Sequence, residues 1–554
     1  MNFGFIIDNR KCIGCHACTV ACKAEHDVPI GVNRTWVKYI EKGVFPNTTR
    51  HFSVMRCNHC ADAPCVEICP VSALFTRKDG IVDFDTSRCI GCKACMQACP
   101  YDALYMDPET HTAAKCNYCA HRTEIGLEPA CVNVCPEHAI ISGDLDDPGT
   151  EIAQLLAHEQ VSVRKPEKGT VPKLFYIDGD QASLDPAQTE PSGSYQSSSQ
   201  SSGVGHFARF AGQRAAQSDP AEMNRQLSGA APQSGAGSWV GDAAQPVLAP
   251  SGSGQAGLRK AAQVAQENSR RVYDAPDKGT LWGWEVSAYV WTKAVATGAF
   301  LTPFAVSLWT GRPLADSLGW PGALAALIFL AATGLLLVKD LDRPERFAYV
   351  LLRPQWKSWL VRGAYILSGF GLSLMLWMWA AWTGSGALPA IEWAAALLGA
   401  GTAVYTAFLF AQARGRDFWQ SPLLALHMLI QALLAGGAAF LLASPLAGWP
   451  EPEVQALRGL LMVSLLAHLA AVAFELTTPH PTADAQRVVG MILKGRYRTV
   501  FWAGMIGAGS LLPLALLWIP GGEISAALAG AAVLAGLYVN EHIWVQAPQK
   551  IPLS

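Results

Sequence analysis

Sixteen cysteines carry the most visible chemistry of this 554-residue sequence, and all of them lie before Pro136. They form four quartets: Cys12, Cys15, Cys18 and Cys22; Cys57, Cys60, Cys65 and Cys69; Cys89, Cys92, Cys95 and Cys99; Cys116, Cys119, Cys131 and Cys135. The last three quartets end in Cys-Pro, the first in Cys22-Lys23. Three closely spaced thiolates can wrap one inorganic centre, while the fourth cysteine of such a run ligates the other cluster of a pair. A disulfide framework suits small secreted domains, and MNFGFIIDNRKC lacks the charged and apolar regions of a signal peptide. Zinc usually takes two C-x2-C pairs, whereas three tight thiolates plus a distant fourth suit a cubane. Sixteen thiolates, four to a centre, predict four [4Fe-4S] clusters. Spacing alone leaves open which distant cysteine completes which set. Lys23, Lys93 and Lys115 adjoin these ligands and read as solvated surface lysines.

A second group of reactive residues lies in strongly apolar surroundings. Glu285, Lys293, His427, His468, Glu475 and Glu541 fall in or at the ends of long apolar runs, of which LAALIFLAATGLLLV shows the character. Ionisable groups inside a bilayer are costly and point to function by default. Glu285 and Glu541 read equally as headgroup-level charges. Facing histidines can hold a b-type haem, but His427 and His468 read better as hydrogen-bonding groups or a proton path.

These residues need three kinds of framework. Residues 1–180 form the cysteine domain. Residues 181–280 turn to Ser, Gln, Gly, Ala and Pro, as in SYQSSSQSSG, and read as a low-complexity flexible linker with a short helix near Leu258 to Arg271. Residues 281–554 hold eight apolar runs, each near the ~20 residues that cross a bilayer. Trp and Tyr crowd their ends, as an interfacial belt requires. The predicted fold is therefore an α/β part, a tandem ferredoxin-like four-cluster domain, then a disordered linker and an all-α, eight-helix transmembrane bundle in contact with membrane lipid. The net charge of −2 averages two unlike halves, and no nucleic-acid partner is expected. Loops on the side of the N-terminus carry eleven Lys and Arg, against Arg312 and Arg458 opposite. The positive-inside bias predicts a cell inner-membrane protein with its cluster domain and both termini in the cytoplasm.

The cysteine domain resembles the electron-transfer subunit of complex iron–sulfur molybdoenzymes, the group of dimethyl sulfoxide reductase, polysulfide reductase and sulfite dehydrogenase. The motifs that carry this are CNHCADAPCVEICP, CIGCKACMQACP and CNYCAHRTEIGLEPACVNVCP. The membrane part resembles the NrfD/polysulfide-reductase family of quinone-interacting anchors, through WGWEVSAYVWTKAVATGAF, DRPERFAYVLLRPQWKSWLVRG and YTAFLFAQARGRDFW. The chain looks like a fusion of the two. The resemblance implies nested ligands: Cys135 joins Cys12, Cys15 and Cys18; Cys22 joins Cys116, Cys119 and Cys131; Cys99 joins Cys57, Cys60 and Cys65; Cys69 joins Cys89, Cys92 and Cys95. It also implies bound menaquinone or ubiquinone and a separate molybdopterin catalytic subunit, for which this chain relays electrons to or from the quinone pool. The chain's own activity would then be limited to quinone reduction or quinol oxidation. Among the relatives, a cytoplasmic cluster domain fits the sulfite dehydrogenase type. An ion-translocating module, as in alternative complex III, and a passive anchor are the other readings. Glu285, Tyr289 and Lys293, spaced by four, share a helix face. They are the expected quinone residues, with Asp340 and His427 contributed by neighbouring spans.

Overall fold

The computed structural model describes residues 1–44, 47–191, 269–316, 318–519 and 522–554. Short strands and turns, not a large core, organise the cysteine domain. Phe3–Asp8 lies between antiparallel Ile140–Asp144 and parallel Leu174–Ile177, with Val161–Ser162 at the edge. A second sheet is built on a long hairpin, Thr35–Val44 with Asn47–Arg56, whose register runs from Val44↔Asn47 to Thr35↔Arg56. Two small hairpins, Leu74–Thr76 with Val82–Phe84 and Leu104–Met106 with Ala113–Lys115, complete the domain.

The expected linker is shorter in its described parts than 181–280. Gln181–Leu184 is helical, and Arg270–Tyr273 inserts into the second sheet between Glu190–Pro191 and Thr35–Val44. Trp36 Nε1 donates to Asp274 Oδ1 at 2.8 Å and fixes that strand's exit. The helix expected near Leu258 to Arg271 is a strand at Arg270 and Arg271; residues 258–268 lie outside the described residues, as does the body of the linker.

Among the described residues, eight long helices follow: Trp284–Thr310, Gly319–Lys339, Trp359–Thr383, Leu388–Gln412, Leu424–Ala447, Glu451–Thr477, the joined pair Val500–Leu511 and Leu512–Trp518, and Glu523–Gln546. Seven of them, all but the first, are long and apolar enough to cross a membrane. The first is equally long, but Glu285, Lys293 and its threonines lower its hydropathy. It occupies the middle of the bundle, with 18 of its 27 residues buried. Close packing there needs glycine: a Cβ on Gly298 would meet Ala432 O at 1.9 Å. Val500–Leu511 winds with π geometry, wider per turn than an α-helix. Trp309, Trp382 and Trp518 are exposed at one end of the bundle, and Trp284, Trp356 and Trp502 at the other, two interfacial belts.

The cysteine domain docks on the end of the bundle where the first helix begins. The loop between the second and third helices supplies much of the contact. Asp342 N and Arg343 N donate to Gly91 O and Ile90 O, each at 3.3 Å. Arg346 Nη1 donates to Thr86 O and Cys89 O, and Ser358 Oγ to Ile68 O at 2.7 Å. Arg414 pairs with Asp62 and Glu67. Arg416 Nε donates to Gln97 Oε1 at 2.8 Å.

Candidate functional site

Each cysteine quartet begins where backbone geometry forces a loop. Gly14 and Gly91 take φ of +71°, and His16 and Lys93, two residues later, take φ of 61° and 60°. The first and third quartets are thus the same turn twice, each followed by a helix that starts at Ala17 or Ala94. The second and fourth quartets start at strand ends, after Arg56 and Lys115.

The thiols gather in four sets, numbered here from the exposed end of the domain to the membrane. Cys12, Cys15, Cys18 and Cys135 line one cavity and form the first set. The charge neighbours of Cys22 are Cys116, Cys131 and Cys119, the second set. Those of Cys65 include Cys99, Cys57 and Cys60, the third set. Cys69, Cys89, Cys92 and Cys95 line another cavity and form the fourth. Neighbouring sets lie within charge range of one another in turn: Cys18 of Cys131, Cys57 of Cys116, and Cys95 of Cys65.

These residues fit iron–sulfur clusters on three grounds. Among the described residues no three His, Cys, Asp or Glu side chains close on the separations that hold one ion; the thiols of the first and fourth sets instead stand around hollows. Backbone N–H groups aim at the sulfurs, from Ala73 to Cys69 and from Ala139 to Cys135, each at 3.2 Å. Burial pushes the Cys18 and Cys119 thiols up to about 12, so they become ligands only beside strong positive charge, which iron supplies. Lys115, expected at the surface, is fully buried: Nζ donates to Val82 O and Cys116 O. Lys23 and Lys93 are half-buried. Lys93 donates to Asp340 O at 3.1 Å and pairs with Asp342 at 2.9 Å.

Directly beneath the fourth set, a cavity of ≈190 Å³ opens among the first four long helices and their connecting loop, with Ile90, Cys92, Trp282, Tyr289, Asp340, Val350 and Tyr405 on its wall. Trp282 Nε1 donates to Cys92 O at 3.2 Å. Hydrophobic side chains dominate the remainder, as suits a lipid-soluble ligand. Burial pushes the Asp340 carboxyl up to about 7, against the pull of the Lys93 ammonium.

Of the five expected quinone residues, Tyr289 and Asp340 line this cavity. Glu285 stays at its rim, half-buried, with Lys339 Nζ at 3.8 Å. Lys293 lies one turn deeper and does not snorkel. Its Nζ donates to Ala403 O at 2.9 Å and Thr406 Oγ1 at 2.7 Å, and sits 5.0 Å from the Tyr405 ring centre. Tyr405 therefore stands between the ammonium and the cavity. His427 belongs to a separate buried network. Its Nδ1 is 3.1 Å from Glu475 Oε2 and its Nε2 is 2.9 Å from His468 Nδ1, while Trp544 Nε1 donates to the same Glu475 oxygen at 3.1 Å. Sequence reasoning missed Trp282 and Tyr405 as wall residues. Both sit in or beside the apolar stretches singled out above, but spacing within one span cannot reveal a neighbour from another.

Comparison with known proteins decides the family. A 4Fe-4S dicluster domain matches residues 11–74 and again 48–145, and the Polysulphide reductase, NrfD family matches residues 275–549. The B subunit of tetrathionate reductase from Salmonella typhimurium is 46% identical over 188 residues, 33% of this chain and 75% of that protein. The arsenate respiratory reductase iron-sulfur subunit ArrB of a Shewanella species is 34% identical over 227 residues, 32% of this chain and 96% of that one. The chain belongs to the reductase iron–sulfur subunit family, fused to an NrfD anchor. Protein NrfC of Escherichia coli, 41% identical over 180 residues, 32% of this chain and 81% of that protein, is another relative of the same half. An iron–sulfur electron-transfer module and a multi-pass NrfD membrane anchor are thus joined in one polypeptide.

Proposed function

We propose that this protein carries electrons between a separate molybdopterin catalytic subunit and the quinone pool, through four [4Fe-4S] clusters and a quinone site under the docked cluster domain. The observation that carries this reading is Cys92. One cysteine lines both the hollow of the fourth thiolate set and the membrane cavity, so the electron path ends where a hydrophobic ligand can reach. When bound, the clusters each pass one electron at a time. The residues do the remaining work. Tyr289 offers a hydroxyl to a quinone carbonyl, Asp340 holds a proton near neutral pH, and Trp282 ties the cavity wall to the Cys92 backbone. Asp340 and Lys93 lead toward the aqueous face and return protons taken up by a reduced quinone. Lys293 supports Tyr405 from behind.

The other end of the path is Cys15, which is exposed, beside Ile13 and Val134, 54% and 40% exposed. This is the face we assign to the catalytic subunit. The names of the relatives, tetrathionate reductase and arsenate respiratory reductase among them, support such a partner. Cytoplasmic orientation favours a sulfite dehydrogenase type, with electrons passing to quinone. Of the eleven basic loop residues behind that orientation, Arg343, Arg346, Arg414, Arg416 and Arg487 contact the cluster domain. The remaining six still outnumber Arg312 and Arg458. The test is stopped-flow reoxidation of dithionite-reduced membranes by menaquinone or ubiquinone analogues, followed at the cluster absorbance. Tyr289→Phe should slow it by about tenfold, the effect of losing one hydrogen bond of ~1.4 kcal/mol. Parental rates in Tyr289→Phe and Asp340→Asn together would remove the quinone from this cavity.

One observation favours a second reading, ion translocation. His468, His427 and Glu475 form a continuous buried hydrogen-bonded chain outside the quinone cavity. Proton release from proteoliposomes during quinone turnover, lost in His427→Phe while turnover persists, would support it.

A further inference from the structure

Arg56 is buried in the cluster domain without a counter-charge. It ends the long hairpin, directly before Cys57, and has no solvent exposure. Lys115 takes the equivalent place before Cys116 and is equally buried, but its ammonium is held by two backbone carbonyls. The guanidinium of Arg56 has far less. Nη1 donates to Cys131 Sγ at 3.1 Å, and the group lies 4.4 Å from the Phe5 ring centre. Nε and Nη2 have no hydrogen-bond partner among the described residues. No carboxylate pairs with it there either.

A charge buried in this way is strongly unfavourable unless an anion and acceptors meet it. No carboxylate among the described residues supplies that anion, so it must come from the thiols and from what they hold. Its direction is given by the surrounding thiols. Cys131, Cys116 and Cys18 are the closest in effect, and the same charge bears on Cys22 and Cys119. That is every thiol of the second set and one of the first. A [4Fe-4S] core with four thiolates is doubly negative when oxidised and triply negative when reduced. It also presents sulfur acceptors, and hydrogen bonds and charge near those sulfurs set its potential.

We propose that Arg56 sets the reduction potentials of the outer half of the electron path: its free Nε and Nη2 nitrogens donate to sulfurs of the clusters held by the second and first thiolate sets, and its fixed charge favours their reduced forms. Each cluster gains one electron from its neighbour and no proton moves, because the guanidinium stays charged throughout. The second cluster feels Arg56 at all four thiolates and is raised the most. The inference rests on the four-cluster reading.

The experiment is an EPR-monitored redox titration of the intact protein in membranes, with iron determined on the same samples. Signals are assigned beforehand with Cys22→Ser and Cys92→Ser. In Arg56→Gln the second cluster should titrate at distinctly lower potential, the first should follow by less, and the fourth should not move. Arg56→Lys keeps the charge and loses the fork, so it should give a smaller shift in the same order. If Arg56→Gln does not assemble, Arg56→Lys decides alone. Unshifted second-cluster potentials at parental iron content would overturn the assignment to Arg56. Absence of the expected iron in the parent would instead overturn the four-cluster reading.

Discussion

Lys293 and Asp340 illustrate two ways in which one cavity uses charge. Asp340 is on the wall, and burial brings its carboxyl to about 7. Below that pH it carries a proton to give; above it the proton is lost. Quinone reduction should therefore slow as pH rises through 7, and Asp340→Asn should be slower at pH 6 and free of that dependence. A pH profile of quinone-driven cluster reoxidation checks this; an unchanged inflection in Asp340→Asn would assign it elsewhere. Lys293 acts from behind the wall, through Thr406 and the Tyr405 ring. Lys293→Met should slow quinone-dependent cluster reoxidation severalfold while leaving cluster content intact, because the ammonium that holds Thr406 and the Tyr405 ring in place is lost. The spacing of Glu285, Tyr289 and Lys293 put them on one face, yet they have three different surroundings. A spacing of four advances about 40° per step on a 3.6-residue helix, so the face turns from the rim through the cavity to the neighbouring helix. The cysteines were legible because ligand spacing is local. Arg56 was not, because its burial depends on three distant quartets meeting.

Elements succeed or fail here on what they pack against. Apolar length identified the membrane helices, and seven satisfy it outright. The first lines the cavity together with the next three, and its polar residues are hidden by its neighbours, a tertiary fact that hydropathy does not carry. The strand Arg270–Tyr273 was invisible for the opposite reason: its composition resembles its surroundings, and only pairing with Thr35–Val44 makes it a strand. Gly91 shows how finely the docking is set. Its φ of +71° excludes most side chains, and a Cβ there would stand 3.0 Å from the Asp342 backbone nitrogen. Gly91→Val should cost about 1–3 kcal/mol in backbone strain and displacement. It should loosen the seam between the third quartet and the loop, and slow electron passage to quinone. Cluster signals that persist while reoxidation falls would confirm that the seam, not the cluster, was damaged.

At the scale of the whole molecule, the expected iron content is about sixteen atoms per chain, four for each thiolate set. Elemental analysis of anaerobically purified protein checks it. A persistent three-iron EPR signal would lower the count. The cytoplasmic assignment of the cluster domain places the loop around Gly384 and Gly386 on the periplasmic side. An epitope inserted after Gly386, where a glycine Cβ meets nothing, should react with antibody in spheroplasts without lysis. Reaction only after lysis would invert the topology.

The strand Arg270–Tyr273 lies between Glu190–Pro191 and Thr35–Val44, and Lys278, five residues beyond it, pairs with Asp102 at 2.7 Å. The membrane half therefore carries a piece of the cluster domain's own sheet. Two polypeptides ending and restarting anywhere within 192–268 should still find each other, the second threading its strand into the first like a missing stave. Co-expressed halves should copurify with full iron, and deleting residues 269–273 from the second should lower the yield of the first in the membrane fraction, leaving only the docking contacts on the bundle to hold it.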